Sequence, residues 1–293
     1  MQLSLAPLPY FWPRASILDF YAAVADWPVD RVYVGETVCS KRRELRTADW
    51  FGVAERLAAA GKTVVLSSLA LIEAESEVGA LRRLVADGRF LIEANDLSAV
   101  QICRETGRRF VGGPTLNVYN HETLRMLQED GLEGWVPGVE VDASQIVSLR
   151  AAYADAGWDF PRLEVQVWGR QGLAYSARCF TARALDIAKD DCGFRCIEFP
   201  DGLPLATREG EAFLRINGIQ VQGDAPIDLA SDWASLQALG VETLRLTPQT
   251  VEETLAAVQR WRAAINGNTP PPPTAAVAGF WQGAPGRGPG SMG

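Results

Sequence analysis

Short runs of β-branched and aromatic residues alternate along this chain with longer stretches whose apolar positions recur at three- and four-residue steps. The runs 31–35, 63–66, 89–93, 109–112 and 135–141 read as strands. The stretches 50–60, 73–86, 97–106, 121–129 and 143–156 read as amphipathic crossover helices. Gly61, Gly88, Gly107, Gly131 and Gly157 follow these helices, where a left-handed C-cap is expected. Such a β–α repeat predicts a parallel sheet, and the number of units favours a closed TIM-like (β/α) barrel of the α/β class over an open doubly wound sheet. No Gly-x-Gly-x-x-Gly follows the first of these strands, which argues against a dinucleotide fold.

The alternation continues through 163–168 and then breaks. A helix at 232–239, a strand at 243–246 and a helix at 251–265 resume it and are expected to close the barrel. The expected organisation is therefore a single barrel domain over 1–266, with a cysteine-bearing insertion at about 170–211, and a Pro/Gly-rich tail over 267–293.

The chain has 293 residues, 47% of them apolar, enough for one large buried core. A net charge of −8 argues against a broad phosphate-binding surface, so no nucleic-acid partner is expected. The start of the chain lacks a positive region followed by a continuous apolar stretch, and no segment has the roughly 18 apolar residues of a membrane span. A cytoplasmic protein is the expectation. An odd count of five cysteines argues against a disulfide framework and leaves the thiols as ligands or small buried hydrophobes.

Three of the five cysteines lie in the break. Cys179, Cys192 and Cys196 are separated by twelve and three residues, and Gly193 loosens the backbone between the last two. Cys39 follows an early strand, and in a parallel barrel the C-terminal ends of the strands converge on one face. Four thiolates could then enclose either a zinc ion or a cubane, and the spacing does not choose between them. Lys41, Arg42, Arg43, Arg178, Arg183 and Arg195 would stabilise thiolate charge there; alternatively they are solvated surface charges around ordinary buried cysteines. Cys103 falls inside a helical pattern and is expected in the core.

Glu36, Glu93, Asn95, Asn117 and Glu164 fall at or near expected strand ends, where barrel enzymes place substrate-binding and acid–base groups, although each could equally cap a helix or pair with an arginine. Trp50, Trp135 and Trp168 are expected as packing residues. His121, the only histidine, is expected near a helix start, and no His-Glu-x-x-His is present, so the usual routes to proteolysis lack residues.

Val38-Cys39-Ser40-Lys41-Arg42-Arg43, Leu91-Ile92-Glu93-Ala94-Asn95-Asp96-Leu97, Leu116-Asn117-Val118-Tyr119-Asn120 and, above all, Leu173-Ala174-Tyr175-Ser176-Ala177-Arg178-Cys179-Phe180-Thr181-Ala182-Arg183 resemble the collagenase-like peptidase family. The resemblance covers residues 1 to about 266 and extends loosely to Gly279-Phe280-Trp281. It implies a [4Fe-4S] cluster on Cys39, Cys179, Cys192 and Cys196, which selects iron–sulfur over zinc. It also implies a heterodimer with a paralogous cluster protein, UbiU, and oxygen-independent hydroxylation of the aromatic ring of a ubiquinone precursor, which a lipid carrier could deliver. Other roles within the same resemblance are a non-catalytic electron-transfer subunit, hydroxylation of a tRNA base, and peptidase activity. The end of the chain, rich in Gly and Pro, departs from the family pattern.

Overall fold

The computed structural model describes residues 1–274 and 277–284. Seven parallel strands, β1 (Gln2–Leu5), β2 (Arg31–Val34), β3 (Thr63–Ser67), β4 (Leu91–Ala94), β5 (Phe110–Gly112), β6 (Leu132–Trp135) and β7 (Arg162–Gly169), pair in sequence order. Within the segment after β7 lie β8 (Gly172–Tyr175), β9 (Leu203–Ala206), β10 (Ala212–Asn217) and β11 (Gln220–Gly223), which form a separate antiparallel sheet in the order β8-β11-β10-β9. A short β12 (Ile227–Asp228) runs antiparallel to the end of β7. Finally β13 (Thr243–Leu246) inserts between β7 and β1 and closes an eight-stranded, all-parallel barrel, as the β–α repeat predicts.

The helices follow their own capping chemistry. They are α1 (Arg14–Val24), α2 (Thr47–Ala59), α3 (Glu75–Asp87), α4 (Leu97–Glu105), α5 (His121–Glu129), α6 (Ala143–Asp155), the short α7 (Phe180–Ala184) and α8 (Trp233–Ala238), and α9 (Val251–Gly267). Asp96, Asn120, Asp142 and Thr250 each accept a backbone N–H of the first turn, which stops those helices where they begin. The five glycines expected as helix terminators all take positive φ. Cys103 on α4 is fully buried, as expected, and Trp135 and Trp168 pack in the core.

Three expectations need correction. The sixth strand occupies Leu132–Trp135, not 135–141: beyond Trp135 the chain meets Pro137, which has no N–H to donate, and turns away. The inserted sheet extends to Gly223, past the expected limit near 211. Part of the expected tail belongs to the fold, since Val277 bridges to Ile227, Trp281 is buried, and its carbonyl accepts the Ala143 N–H. Residues 275–276 and 285–293 lie outside the described residues. No helix among the described residues is long and apolar enough to cross a membrane.

The barrel lumen is ionic. Arg245 on β13 reaches across to Glu93 on β4 (2.6 Å) and to Glu164 on β7 (3.1 Å), and Glu164 also pairs with Arg31 (3.2 Å). Ser4 Oγ and Tyr33 Oη each donate to Glu164, both at 2.8 Å, and the Arg245 guanidinium lies 4.1 Å from the centre of the Tyr33 ring. Burial disfavours the Arg245 charge, but Glu93 and Glu164 more than compensate and hold its pKa above the ordinary value. Strands that are not neighbours are thus tied through the lumen.

Candidate functional site

The loop after β2 and the inserted segment meet at one end of the barrel. There Cys39, Cys179, Cys192 and Cys196 line a single cavity together with Lys41, Arg42, Thr181 and Gly218. Each cysteine has a local reason for its place. Glu36 accepts the backbone N–H groups of Val38 and Cys39 (2.9 and 3.0 Å), folding the loop so that Cys39 turns inward. Cys179 is the N-cap of α7, its Sγ accepting the Ala182 N–H at 3.5 Å. Gly193 and Phe194 both take positive φ, and this double left-handed turn brings Cys192 and Cys196 to the same cavity.

Among the described residues no three His, Cys, Asp or Glu side chains close on one point as ligands of a single metal ion do. The residues lining the cavity include four thiols and no carboxylate or imidazole. An all-thiol donor set fits a [4Fe-4S] cubane, and it is equally the donor set of a tetrahedral zinc site.

Of the basic residues expected around the thiols, Lys41, Arg42 and Arg195 line the cavity, whereas Arg43, Arg178 and Arg183 are exposed away from it. Lys41 is engaged by Asp190 (2.7 Å), and Arg195 by Glu198. Arg42 is different: it is buried, donates to Pro9 O (2.8 Å) and Asn217 Oδ1 (2.7 Å), and lies 3.8 Å from Glu36. Burial raises the Glu36 pKa, with Arg42 pulling the other way. Burial also pushes the Cys39 thiol up to about 11 and raises Cys196, against the opposing charge of Arg42. In iron-free protein at pH 8, iodoacetamide should therefore modify Cys39 about 100-fold more slowly than the same thiol in urea-unfolded chain. The rate should climb as pH approaches 11; equal rates folded and unfolded, by mass spectrometry of the labelled peptides, would contradict the burial.

A larger cavity, about 360 Å³, opens at the C-terminal mouth of the barrel. Glu93, Asn95 and Asn117 line it, Glu93 while paired with Arg245, whereas Glu36 belongs to the cysteine loop and Glu164 to the lumen network. Sequence reasoning missed Arg170, Tyr175, Gln220, Gln222 and Arg245, which also line it. Two signals were available: an arginine inside the apolar strand Thr243–Leu246, and alternating glutamines in Gln220–Gly223. Burial holds Tyr175 at about 12, so it stays a neutral phenol. Its oxygen accepts from Gln220 Nε2 at 2.6 Å, leaving the phenol proton to donate. His121 begins α5, does not line this cavity and faces Glu122 at 3.4 Å, as a solvated helix-start residue does.

Among solved structures, the chain is similar to N-acetylneuraminate lyase from Fusobacterium nucleatum, with 13% identity over 91% of this chain and 75% of that one at a TM-score of 0.48. It is also similar to dihydropteroate synthase from Thermus thermophilus (14% identity, 89% and 94% covered, TM-score 0.44) and from Anaplasma phagocytophilum (10%, 88% and 98%, TM-score 0.38). At these values nothing about this chain's chemistry follows from them. The model of peptidase family U32 matches residues 18–199. That span covers more than half of the chain and includes all four cavity cysteines, and the protein belongs to peptidase family U32.

Proposed function

We propose that Cys39, Cys179, Cys192 and Cys196 hold a [4Fe-4S] cluster, and that the chain is a subunit of an oxygen-independent hydroxylase acting on the aromatic ring of a ubiquinone precursor. The observation that carries the reading is the convergence of four thiols, from a loop after the second strand and from a segment after the seventh, on one cavity without competing carboxylates. The motifs around Cys39 and Cys179 resemble those of UbiV, which supports the ring-hydroxylation role and a heterodimer with UbiU. When bound, the cluster supplies one-electron chemistry.

The remaining work falls to the mouth cavity. Its volume suits a single aromatic ring, and Tyr175 and Arg170 offer donors to oxygen substituents. Asn95 is held in place by Ser68 O (3.1 Å) and Glu93 Oε2 (3.2 Å), so it presents a fixed edge to a ligand. Deleting the gene in cells grown without oxygen should lower ubiquinone and accumulate an under-hydroxylated precursor, measured by mass spectrometry and restored by the intact gene. Unchanged quinone content would overturn the hydroxylase reading while leaving the cluster to be judged by iron analysis.

A further inference from the structure

The cysteine cavity and the mouth cavity are joined by one hydrogen-bond chain. Arg42 Nη2 donates to Asn217 Oδ1 (2.7 Å), Asn217 Nδ2 to Gln220 Oε1 (2.9 Å), and Gln220 Nε2 to Tyr175 Oη (2.6 Å). Chemistry dictates the direction of every link. Arginine can only donate, so Asn217 must face it with oxygen; the Pro9 carbonyl can only accept, so the atom that Asn217 turns to it (2.8 Å) must be nitrogen. Gln220 Oε1 receives a second N–H from Gln222 (3.0 Å), which holds that amide in the same sense.

Two further observations place Arg42 at the head of this chain for a reason. Its side chain is 1% exposed on the wall of the cysteine cavity, where the guanidinium hydrogen-bonds the Cys196 thiol while its Nε has no partner. A buried, unpartnered guanidinium N–H costs free energy unless something outside the protein accepts it. Gly218, at φ +66° in the turn between β10 and β11, makes the approach possible: a Cβ there would stand 2.8 Å from Arg42 Nη2.

We propose that Arg42 is a positioning residue that sets the reduction potential of the group held by the four cysteines, and that the mouth cavity acts on that potential through Asn217, Gln220 and Tyr175. The proposal rests on the cluster reading. A nearby positive charge and an N–H directed at a sulfur both favour the reduced, more negative cluster, so Arg42 raises the potential. Aligned donors polarise one another along the chain, and Tyr175 at its end draws on the Arg42 charge. A ligand that accepts the Tyr175 proton strengthens that draw and lowers the potential. By linkage, reduction weakens the binding of such a ligand by the same factor.

The test uses the full chain reconstituted anaerobically with iron and sulfide, with iron content measured first. A wild-type chain that takes up no iron refutes the cluster itself, separately from Arg42. In the loaded protein, one electron passes from a dithionite-reduced mediator dye, which is reoxidised, to the cluster, and the midpoint is read by electron paramagnetic resonance. Arg42→Gln should lower the reduction equilibrium about tenfold, about 59 mV for one electron. Arg42→Lys, which keeps the charge without the fork, should recover part of it. Tyr175→Phe, outside the cysteine cavity, should move the midpoint in the opposite direction by about twofold, about 18 mV. An unchanged midpoint in Arg42→Gln overturns the role of Arg42. If that variant loads no iron, an unchanged midpoint in Tyr175→Phe overturns the proposal.

Discussion

Replacing Cys179 by alanine should leave the chain with little or no iron, whereas Cys103→Ala should keep about four irons per chain after anaerobic reconstitution. The two cysteines differ in surroundings. Cys179 lies on the cavity wall with three other thiols, while Cys103 is enclosed in the core by α4 and its neighbours. Cys179 also caps α7 through Sγ, so an alanine removes a cap along with a proposed ligand. Cys179→Ser separates the two effects, because a hydroxyl can accept the Ala182 N–H but ligates iron poorly. Iron content and broad visible absorbance measure the outcome for all three variants. For Cys103→Ala the expected penalty is a packing defect of about 1 kcal/mol with the cluster signature intact. Iron retained by Cys179→Ala and lost from Cys103→Ala would remove the basis for the site.

The largest stability effect is expected from Arg245→Leu. That change leaves Glu93 and Glu164, both within a few per cent of complete burial, without their shared cation. Breaking a buried charge network by removing one partner costs about 3–5 kcal/mol, which for a chain of this size lowers Tm by roughly 6–10 °C. Arg245→Met combined with Glu93→Gln and Glu164→Gln should recover much of the loss, because the cost lies in the abandoned carboxylates and not in the absent arginine. Thermal unfolding followed by circular dichroism decides it. A Tm for Arg245→Leu equal to that of the unaltered chain would show that the network contributes nothing to stability.

Much of the barrel was legible because strands buried on both faces and helices buried on one carry different periods, and those periods survive in 31–168 and 243–265. The first strand and first helix were missed for different reasons. Gln2–Leu5 alternates polar and apolar, but it is only four residues long and runs into Pro7 and Pro9, too short a run for its period to stand out. The helix Arg14–Val24 was readable in principle: Pro13 precedes it, and its buried residues Ile17, Phe20, Tyr21 and Val24 follow helical spacing. The inserted sheet hid because Leu203–Ala206 is mostly exposed and interrupted by Pro204 and because Ala212–Asn217 alternates only over its last four residues, although Asn217-Gly218 marks a tight hairpin turn.

At the site, the four cysteines could be picked out along the chain, and the structure brings them to one cavity. What the sequence could not separate was Arg42 from Lys41 and Arg43. Three adjacent cations look alike in a linear pattern, yet only Arg42 points into protein, where Pro9 and Asn217 receive it. The mouth-cavity residues were hidden for a similar reason: Tyr175 and Gln220 meet only because β8 and β11 pair, a contact across 45 positions.

Closure of the barrel by Gln2–Leu5 against Thr243–Leu246 has a consequence for how the chain is made. The first strand leaves the ribosome long before its neighbour on one side exists, and Ser4 cannot reach its Glu164 partner until the seventh strand has been synthesised. The early β–α units must wait as an open sheet with an unpaired edge, a state prone to association with other nascent chains. Completion of this fold is therefore a late event in the making of the chain, slowed by the long-range pairing that seals it.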